Sequence, residues 1–359
     1  MLMKREKTRR IKVGKIEIGG GAPISVQSMT KTDTRNVEKT ISQIKELVTA
    51  GCEIVRIAIP DEEAASAFSK IRRKMADVPL VADIHFNYRL ALLAIEAGAD
   101  KIRINPGNIG GEERVREVVK AAKERGIPIR IGVNAGSLSR ELLRKYGHPT
   151  PEAMVESALS HIRMLEDLDF RDIIISLKSS DVETTIRAYQ LISEQVDYPL
   201  HLGITEAGGG LRGVVKSAVG LSLLLAQGIG DTIRVSLTGD PVDEVRVGYY
   251  ILSSLGIRKR GVEIISCPTC GRCEINVAKL ATEVEKRLSH ITFPLKVAIM
   301  GCVVNGPGEA READVGFAGG KGEGIIFRRG EIIRKVKEKE AVETLVKEVE
   351  KFLKGISPS

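Results

Sequence analysis

PIRIGVN, residues 128–134, is the stretch on which the fold turns. It is short, β-branched and apolar, the texture of a strand buried on both faces in a parallel sheet. Seven more runs share it: PISVQSM (23–29), EIVRIAI (53–59), PLVADIH (79–85), KIRINPG (101–107), DIIISLK (172–178), PLHLGIT (199–205) and TIRVSLT (232–238). Between them lie segments with apolar residues at helical spacing, such as NVEKTISQIKELVTAG (36–51), which a glycine closes. One strand–helix unit takes about 30 residues. Eight units within roughly 250 residues is the arithmetic of a closed (β/α)8 TIM barrel. A doubly wound open sheet is the rival architecture.

Beyond residue 262 the texture changes. GVEIISCPTCGRC (261–273) is a strand running into cysteines. A helical pattern follows (NVAKLATEVEKRLSH, 276–290), then strands LKVAIMG (295–301), GIIFRRG (324–330) and EIIRKV (331–336), and a Lys/Glu-rich closing helix. The expected organisation is a TIM barrel over 1–262 and a small α+β domain over 263–359 that carries the clustered cysteines. The chain has 359 residues, 43% apolar and 28% charged, which suits one large and one small soluble domain.

The net charge is +8, which favours an anionic partner. Nucleic acid is disfavoured, because there is no Trp, aromatics are 4%, and no basic stretch is interleaved with stacking rings. The basic start MLMKREKTRR has no apolar region after it, and the most lipid-like stretch, VGLSLLLAQGIG (219–230), is too short to span a bilayer. A cytoplasmic location with no membrane partner is expected, where clustered thiols read as metal ligands and not as disulfides.

Several of the strand runs contain charge where a barrel should be dry. Arg56, Arg103, Arg130 and Arg234 lie within or at the ends of strands, and Lys178 ends the sixth. Asp83, Glu206 and Glu53 are the few acids at matching positions. A buried charge without a partner costs several kcal/mol, so five cations facing few acids call for an external anion. C-terminal strand ends converge on the active face of a barrel, and a diphosphate held by Arg forks is the natural ligand. His85, Asn105, Asn134, His201, Thr205 and Ser236 share that face. GGGLRG (208–213) follows the seventh strand, where backbone amides bind phosphate in barrels, and Glu206 beside it is a candidate general acid or base.

Cys267, Cys270 and Cys273 make C-x2-C-x2-C, a ferredoxin-like run for which Cys302 is the distant fourth thiol; Cys52 reads as a buried core thiol. A four-cysteine cubane would suit an electron-transfer or redox-sensing protein, whereas a zinc ribbon wants a second C-x2-C knuckle that is missing. Glu309 stands seven residues past Cys302, after Gly306, Pro307 and Gly308, and offers a labile oxygen ligand in place of the fourth thiol.

CPTCGR (267–272) and MGCVVNGPGEA (300–310), with VQSMT (26–30), ADIHF (82–86), RINPGN (103–108), IRIGVNAGSL (129–138), GITEAG (203–208) and RVSLT (234–238), resemble the bacterial 4-hydroxy-3-methylbut-2-enyl diphosphate synthase family. The resemblance runs in order through both domains. It implies a TIM barrel followed by an iron–sulfur domain, with one [4Fe–4S] cluster per chain held by Cys267, Cys270, Cys302 and Glu309. It further implies two-electron reduction of 2-C-methyl-D-erythritol 2,4-cyclodiphosphate, with ring opening and loss of water, in the methylerythritol phosphate route to isoprenoids. Arg56, Arg103, Arg130, Asn134, Lys178, Thr205, Arg234 and Ser236 would bind the substrate, and Glu206 would work near the departing hydroxyl. Reduced flavodoxin or ferredoxin is the implied donor, and a homodimer with sites shared between subunits the implied assembly. Cys273 departs from the family motif. A pterin-dependent type of barrel synthase with a structural metal domain is the other enzyme reading.

Overall fold

The computed structural model describes residues 8–302 and 310–356. It divides into two compact units, Met1–Arg258 and Lys259–Ser359.

The first unit opens with a hairpin, β1 (Ile11–Val13) and β2 (Ile16–Ile18). Strands β3 (Ser25–Met29), β4 (Ile54–Ala58), β5 (Leu80–Asp83), β6 (Lys101–Ile104), β7 (Ile129–Asn134), β8 (Ile173–Lys178), β9 (His201–Leu202) and β10 (Thr232–Ile233) form a parallel sheet in the order 8-7-6-5-4-3-10-9. A parallel bridge between Ile175 and Leu200 joins β8 to β9 and completes the ring. Helices α1 (Val37–Ala50), α2 (Glu62–Lys74), α3 (Tyr88–Glu96), α4 (Glu112–Arg125), α5 (Arg140–Tyr146), α6 (Pro151–Glu166), α7 (Val182–Ser193), α8 (Gly210–Ala226) and α9 (Pro241–Ser254) lie between the strands and after the last. Many start on a side-chain cap: Asn36 accepts from the Lys39 amide, Asp61 from Ala64, Asp181 from Thr184 and Asp240 from Val242.

Alternation along each strand sorts its residues between two cores. Ile129, Ile131 and Val133 of β7, and Ile173, Ile175 and Leu177 of β8, pack outward in the core shared with the helices. The residues between them point into the barrel. At its N-terminal end the interior is apolar: Ile54, Val81 and Ile174 meet Ile11, Val13 and Ile18 of the hairpin, which plugs that end. Further up, the interior turns polar.

Strands β9 and β10 are shorter than their sequence runs. The break falls at Gly203, where a Cβ would stand 2.5 Å from the Lys178 ammonium and 2.6 Å from the Arg234 carbonyl oxygen. The Lys178 side chain fills the space inside the barrel that a side chain at position 203 would take.

In the second unit, β11 (Val262–Ser266), β12 (Leu295–Met300), β13 (Val315–Gly319), β14 (Glu323–Arg328) and β15 (Glu331–Lys337) form one sheet in chain order. The first three are parallel and the last two antiparallel additions. Helices α10 (Val277–Leu288) and α11 (Ala341–Ile356) cover it, with Val284, Leu288, Leu345 and Val349 packed on Val297, Ile299, Phe317 and Ile326. Strand β13, VGFAG, did not stand out in the sequence because its second and last residues are glycines that break up the apolar run. Gly316 is needed there, since a Cβ would collide with the Phe327 ring on β14.

Candidate active site and cluster centre

The polar half of the barrel interior gathers Arg56 from β4, Arg103 from β6, Arg130 from β7, Lys178 from β8 and Arg234 just past β10. Arg103 is neighboured by Asp83 on one side and Arg130 on the other in the sheet register. Gly132 makes room for it: a Cβ there would lie 2.5 Å from the Arg103 Nε. Asn134, half-buried, ends β7 opposite Lys178. Thr205 and Ser236 are half-buried in the loops that follow β9 and β10. Asn105 is buried and its side chain accepts from the Gly107 amide and donates to the Ser137 hydroxyl.

Charge is far from balanced. Asp83 takes Arg103 at 3.2 Å and Arg56 at 3.6 Å, and His85 lies 3.3 Å from it. Burial alone would raise the Asp83 carboxyl, but Arg56, the His85 contact and Arg103 overcome this and hold it far below the usual carboxylate range. Glu53 is not a partner of these cations. It pairs with Arg258 at 2.8 Å and accepts from the Val26 amide. The second acid is one that sequence reading missed, Glu244 on α9. Its side chain is wholly buried and meets the Ser28 hydroxyl at 2.8 Å, the Lys31 ammonium at 3.0 Å and Arg234 at 3.4 Å. The signal was present: Glu244 sits on the apolar face of α9 with Val245, Gly248 and Ile251.

Asp83 and Glu244 leave Arg130 and Lys178 without an acid. Among the described residues the Arg130 Nε and Nη1 are buried with no hydrogen-bond partner. Burial, then Arg56 and Arg103, push its guanidinium well below its ordinary value, and burial with Arg130 and Arg234 does the same to Lys178. Burial and Arg56, partly opposed by Glu244, lower Arg234 to about 10. His201 is fully buried with both ring nitrogens unpartnered among the described residues, and burial and Lys178 hold it neutral. Sequence reading also missed Lys101, a sixth inward cation. The alternation K-I-R-I over 101–104, charge on one face and isoleucine on the other, was its signal.

At the mouth, Glu206 is exposed and carries a left-handed backbone, φ 51°, uncommon for a residue other than glycine. The Thr205 amide before it donates to the Ser179 carbonyl at 3.2 Å. Helix α8 then begins with Gly209 as its cap and no side-chain acceptor, so its first amides are left for other partners.

Cys267, Cys273 and Cys302 of the second unit lie near one another for a topological reason. Strands β11 and β12 are parallel neighbours with Ser266 opposite Ile299, so the residues that follow them, Cys267 and the pair Gly301–Cys302, lie side by side. The Gly301 amide donates to the Cys267 sulfur at 3.2 Å. A Cβ on Gly301 would run into the Cys273 sulfur and stand 3.2 Å from that of Cys267. Cys273 donates its thiol hydrogen to the Ile275 carbonyl, and its amide is turned to the Cys270 carbonyl at 2.9 Å. Cys270 is exposed, and hydrogen bonding from the Arg272 amide lowers its thiol. Cys52 is buried in the barrel core, where burial pushes its thiol up to about 12. Among the described residues no three His, Cys, Asp or Glu side chains are gathered tightly enough for a single metal ion. Glu309 lies outside the described residues. Clustered thiols with backbone amides turned toward their sulfurs are the donor set that suits an iron–sulfur centre.

Removing either unpaired barrel cation gives a first test. In Arg130→Ala or Lys178→Ala, binding of a diphosphate ligand is expected to weaken by about 1.5–3 kcal/mol, the worth of a charge-assisted contact, with the visible spectrum of the cluster unchanged. Calorimetric titration and absorption on one preparation check both; unaltered affinity in both variants would make these cations structural.

Residues 8–249 match the family described as the GcpE TIM-barrel domain, and residues 263–351 the GcpE protein C-terminal domain. The chain is 65% identical over 354 residues to a curated protein of Caldanaerobacter subterraneus subsp. tengcongensis, covering 99% of each. It is 63% identical over 348 residues to one of Clostridium perfringens, and 62% identical over 349 residues to one of Geobacter sulfurreducens, in each case covering 97% of this chain and 99% of the relative. All three relatives carry the name 4-hydroxy-3-methylbut-2-en-1-yl diphosphate synthase (flavodoxin).

Proposed function

This chain belongs to the GcpE family, and from that premise we propose which of its residues carry the family's reaction and how. The reaction is the reductive ring opening and dehydroxylation of 2-C-methyl-D-erythritol 2,4-cyclodiphosphate to 4-hydroxy-3-methylbut-2-enyl diphosphate, a step of isoprenoid biosynthesis catalysed by an iron–sulfur oxidoreductase. Two electrons enter, a ring carbon–oxygen bond opens, and the lost hydroxyl leaves as water. The observation that carries the assignment of residues is the surplus of inward cations over the acids Asp83 and Glu244.

In this reading Arg56, Arg103, Arg130, Lys178 and Arg234 hold the diphosphate, and Asn134, Thr205 and Ser236 fix its orientation by hydrogen bonds. Glu206 holds the proton that the departing hydroxyl needs. The cofactor is one [4Fe–4S] cluster, held by Cys267, Cys270, Cys302 and Glu309; when bound it supplies the electrons, taken from reduced flavodoxin. No described helix is long and apolar enough to cross a membrane, and a cytoplasmic site of action suits thiols that must stay reduced.

The deciding experiment is anaerobic reconstitution with iron and sulfide, followed by addition of reduced flavodoxin and the cyclodiphosphate. The expected result is product formed in step with the electrons consumed. Fully loaded protein that neither binds nor converts the cyclodiphosphate would sink the assignment.

The active assembly is a homodimer in which one subunit's cluster domain serves the partner's barrel, as the family resemblance implies. A domain closing over the mouth would exclude water from the reaction. Glu206→Ala and Cys302→Ser chains, each inactive alone, are then expected to recover partial activity as mixed dimers. Such a dimer has one pairing of intact barrel with intact cluster. Inactive heterodimers of verified composition would place barrel and cluster cooperation within one chain.

A further inference from the structure

One barrel cation has no role in the assignment above. Lys101, the first residue of β6, alternates with Ile102 and Ile104, which pack in the outer core, so its side chain runs into the barrel interior. It is completely buried, and its ammonium has no hydrogen-bond partner among the described residues. In the register it faces Val81, whose other neighbour is Arg56. On the far wall His201 and Thr232, paired across β9 and β10, are buried with their polar atoms equally unpartnered.

An unpartnered ammonium among guanidiniums is strongly disfavoured in the empty protein. Burial, then Arg130 and Arg56, all work against its charged form. Neither interior acid answers it. Asp83 is taken by Arg103 and Arg56, and Glu244 by Arg234, Lys31 and Ser28. A structural role would bring a partner or an apolar residue of similar length. The geometry instead calls for negative charge that arrives from outside, deep in the barrel.

We propose that Lys101 is a further substrate-positioning residue, its ammonium meeting the innermost phosphate of the bound diphosphate and setting how deep the substrate sits. This rests on reading the barrel as the diphosphate site. Lys101 differs from the arginines in kind: its ammonium is a compact point charge on a flexible stem, able to meet a phosphate from one side.

The test compares wild type with Lys101→Met and Lys101→Gln in the cluster-loaded protein. It measures thermal unfolding, the cluster's absorption, and calorimetric binding of the cyclodiphosphate and of inorganic pyrophosphate. Methionine removes the charge at similar length, so its unfolding midpoint is expected to equal or exceed that of wild type, with the absorption unchanged. Affinity for both anions is expected to fall roughly ten- to hundredfold, and the KM for the cyclodiphosphate to rise with it. Gain in stability with loss of anion affinity is a combination that a merely structural lysine does not give. Unchanged affinity in folded variants would overturn the proposal. So would a lowered midpoint, or failure of both variants to fold, since either makes Lys101 structural. Wild type that binds no cyclodiphosphate would remove the diphosphate reading itself, an outcome visible without any substitution.

Discussion

Glutamine at position 206 is expected to cut turnover by about 10²–10⁴-fold, the usual worth of a general acid, while substrate affinity and the cluster spectrum stay as they are. Opening a carbon–oxygen bond reductively needs electrons at carbon and a proton at the departing oxygen. The other carboxylates of the barrel are committed. Asp83 is held ionised by Arg56 and Arg103, whose guanidiniums engage its oxygens, so it is not free to take up and pass on a proton. Glu244 is buried against Ser28, Lys31 and Arg234, and Glu53 is paired with Arg258. Glu206 is exposed at the mouth, and among the described residues no hydrogen bond or ion pair engages it. Its backbone adds an independent sign. At φ 51° a side chain other than glycine costs roughly 1–2 kcal/mol, and such strain concentrates at functional sites. Glu206→Gly is therefore expected to be no less stable than wild type although it is inactive. Steady-state rates, calorimetric affinity and thermal unfolding of the two variants separate the roles. A near-normal rate in Glu206→Gln would remove the residue from catalysis, and a loss of substrate binding would make it part of the pocket wall.

How much of this was legible before the structure follows from what each residue answers to. The barrel strands announced themselves because a strand buried on both faces has to be β-branched and apolar throughout. The same rule made Arg103 and Arg130 conspicuous, since nothing but function or pairing keeps an arginine there. Lys101 was passed over because it opens its strand after Gly98 and Asp100, where a charge reads as the end of a loop; its register opposite Val81 is a long-range fact. Glu53 was misplaced for the mirror-image reason. It precedes β4 and turns to Arg258, a residue 205 positions away that no local pattern connects to it. Glu244 lies on a helix, and its inward direction depends on how α9 packs against the barrel, which no strand pattern reveals. The cysteine run was plain in the sequence, but that Cys267 adjoins Gly301 depends on β11 and β12 being parallel neighbours. Spacing alone does not decide that.

The cysteines carry the other large effect. Cys267→Ala is expected to abolish both the cluster and turnover, and yet to leave diphosphate binding by the barrel intact. The first part follows from position: the Cys267 sulfur stands at the meeting of two strand ends, accepts from the Gly301 amide, and has no substitute on its own strand. The second follows from the two units having separate cores, one built on the barrel strands and their helices, the other on β11–β15 with α10 and α11. Loss of one thiol removes one hydrogen bond, worth about 1 kcal/mol, too little to unfold its own unit and without leverage on the barrel. Cys273→Ser is the control that gives the result its meaning. Its sulfur also crowds Gly301, so proximity alone makes it a rival ligand. If Cys267, Cys270, Cys302 and Glu309 complete the site, the serine variant keeps its iron and turns over near normally, while Glu309→Ala does not. Iron and sulfide analysis, absorption spectra and calorimetric titration of all three variants give the answer. Loss of the cluster in Cys273→Ser, with Glu309→Ala unharmed, would mean four thiolates. A saturated cluster of that kind would have no coordination site to offer the substrate, and the protein would be left with electron transfer as the role of its second unit.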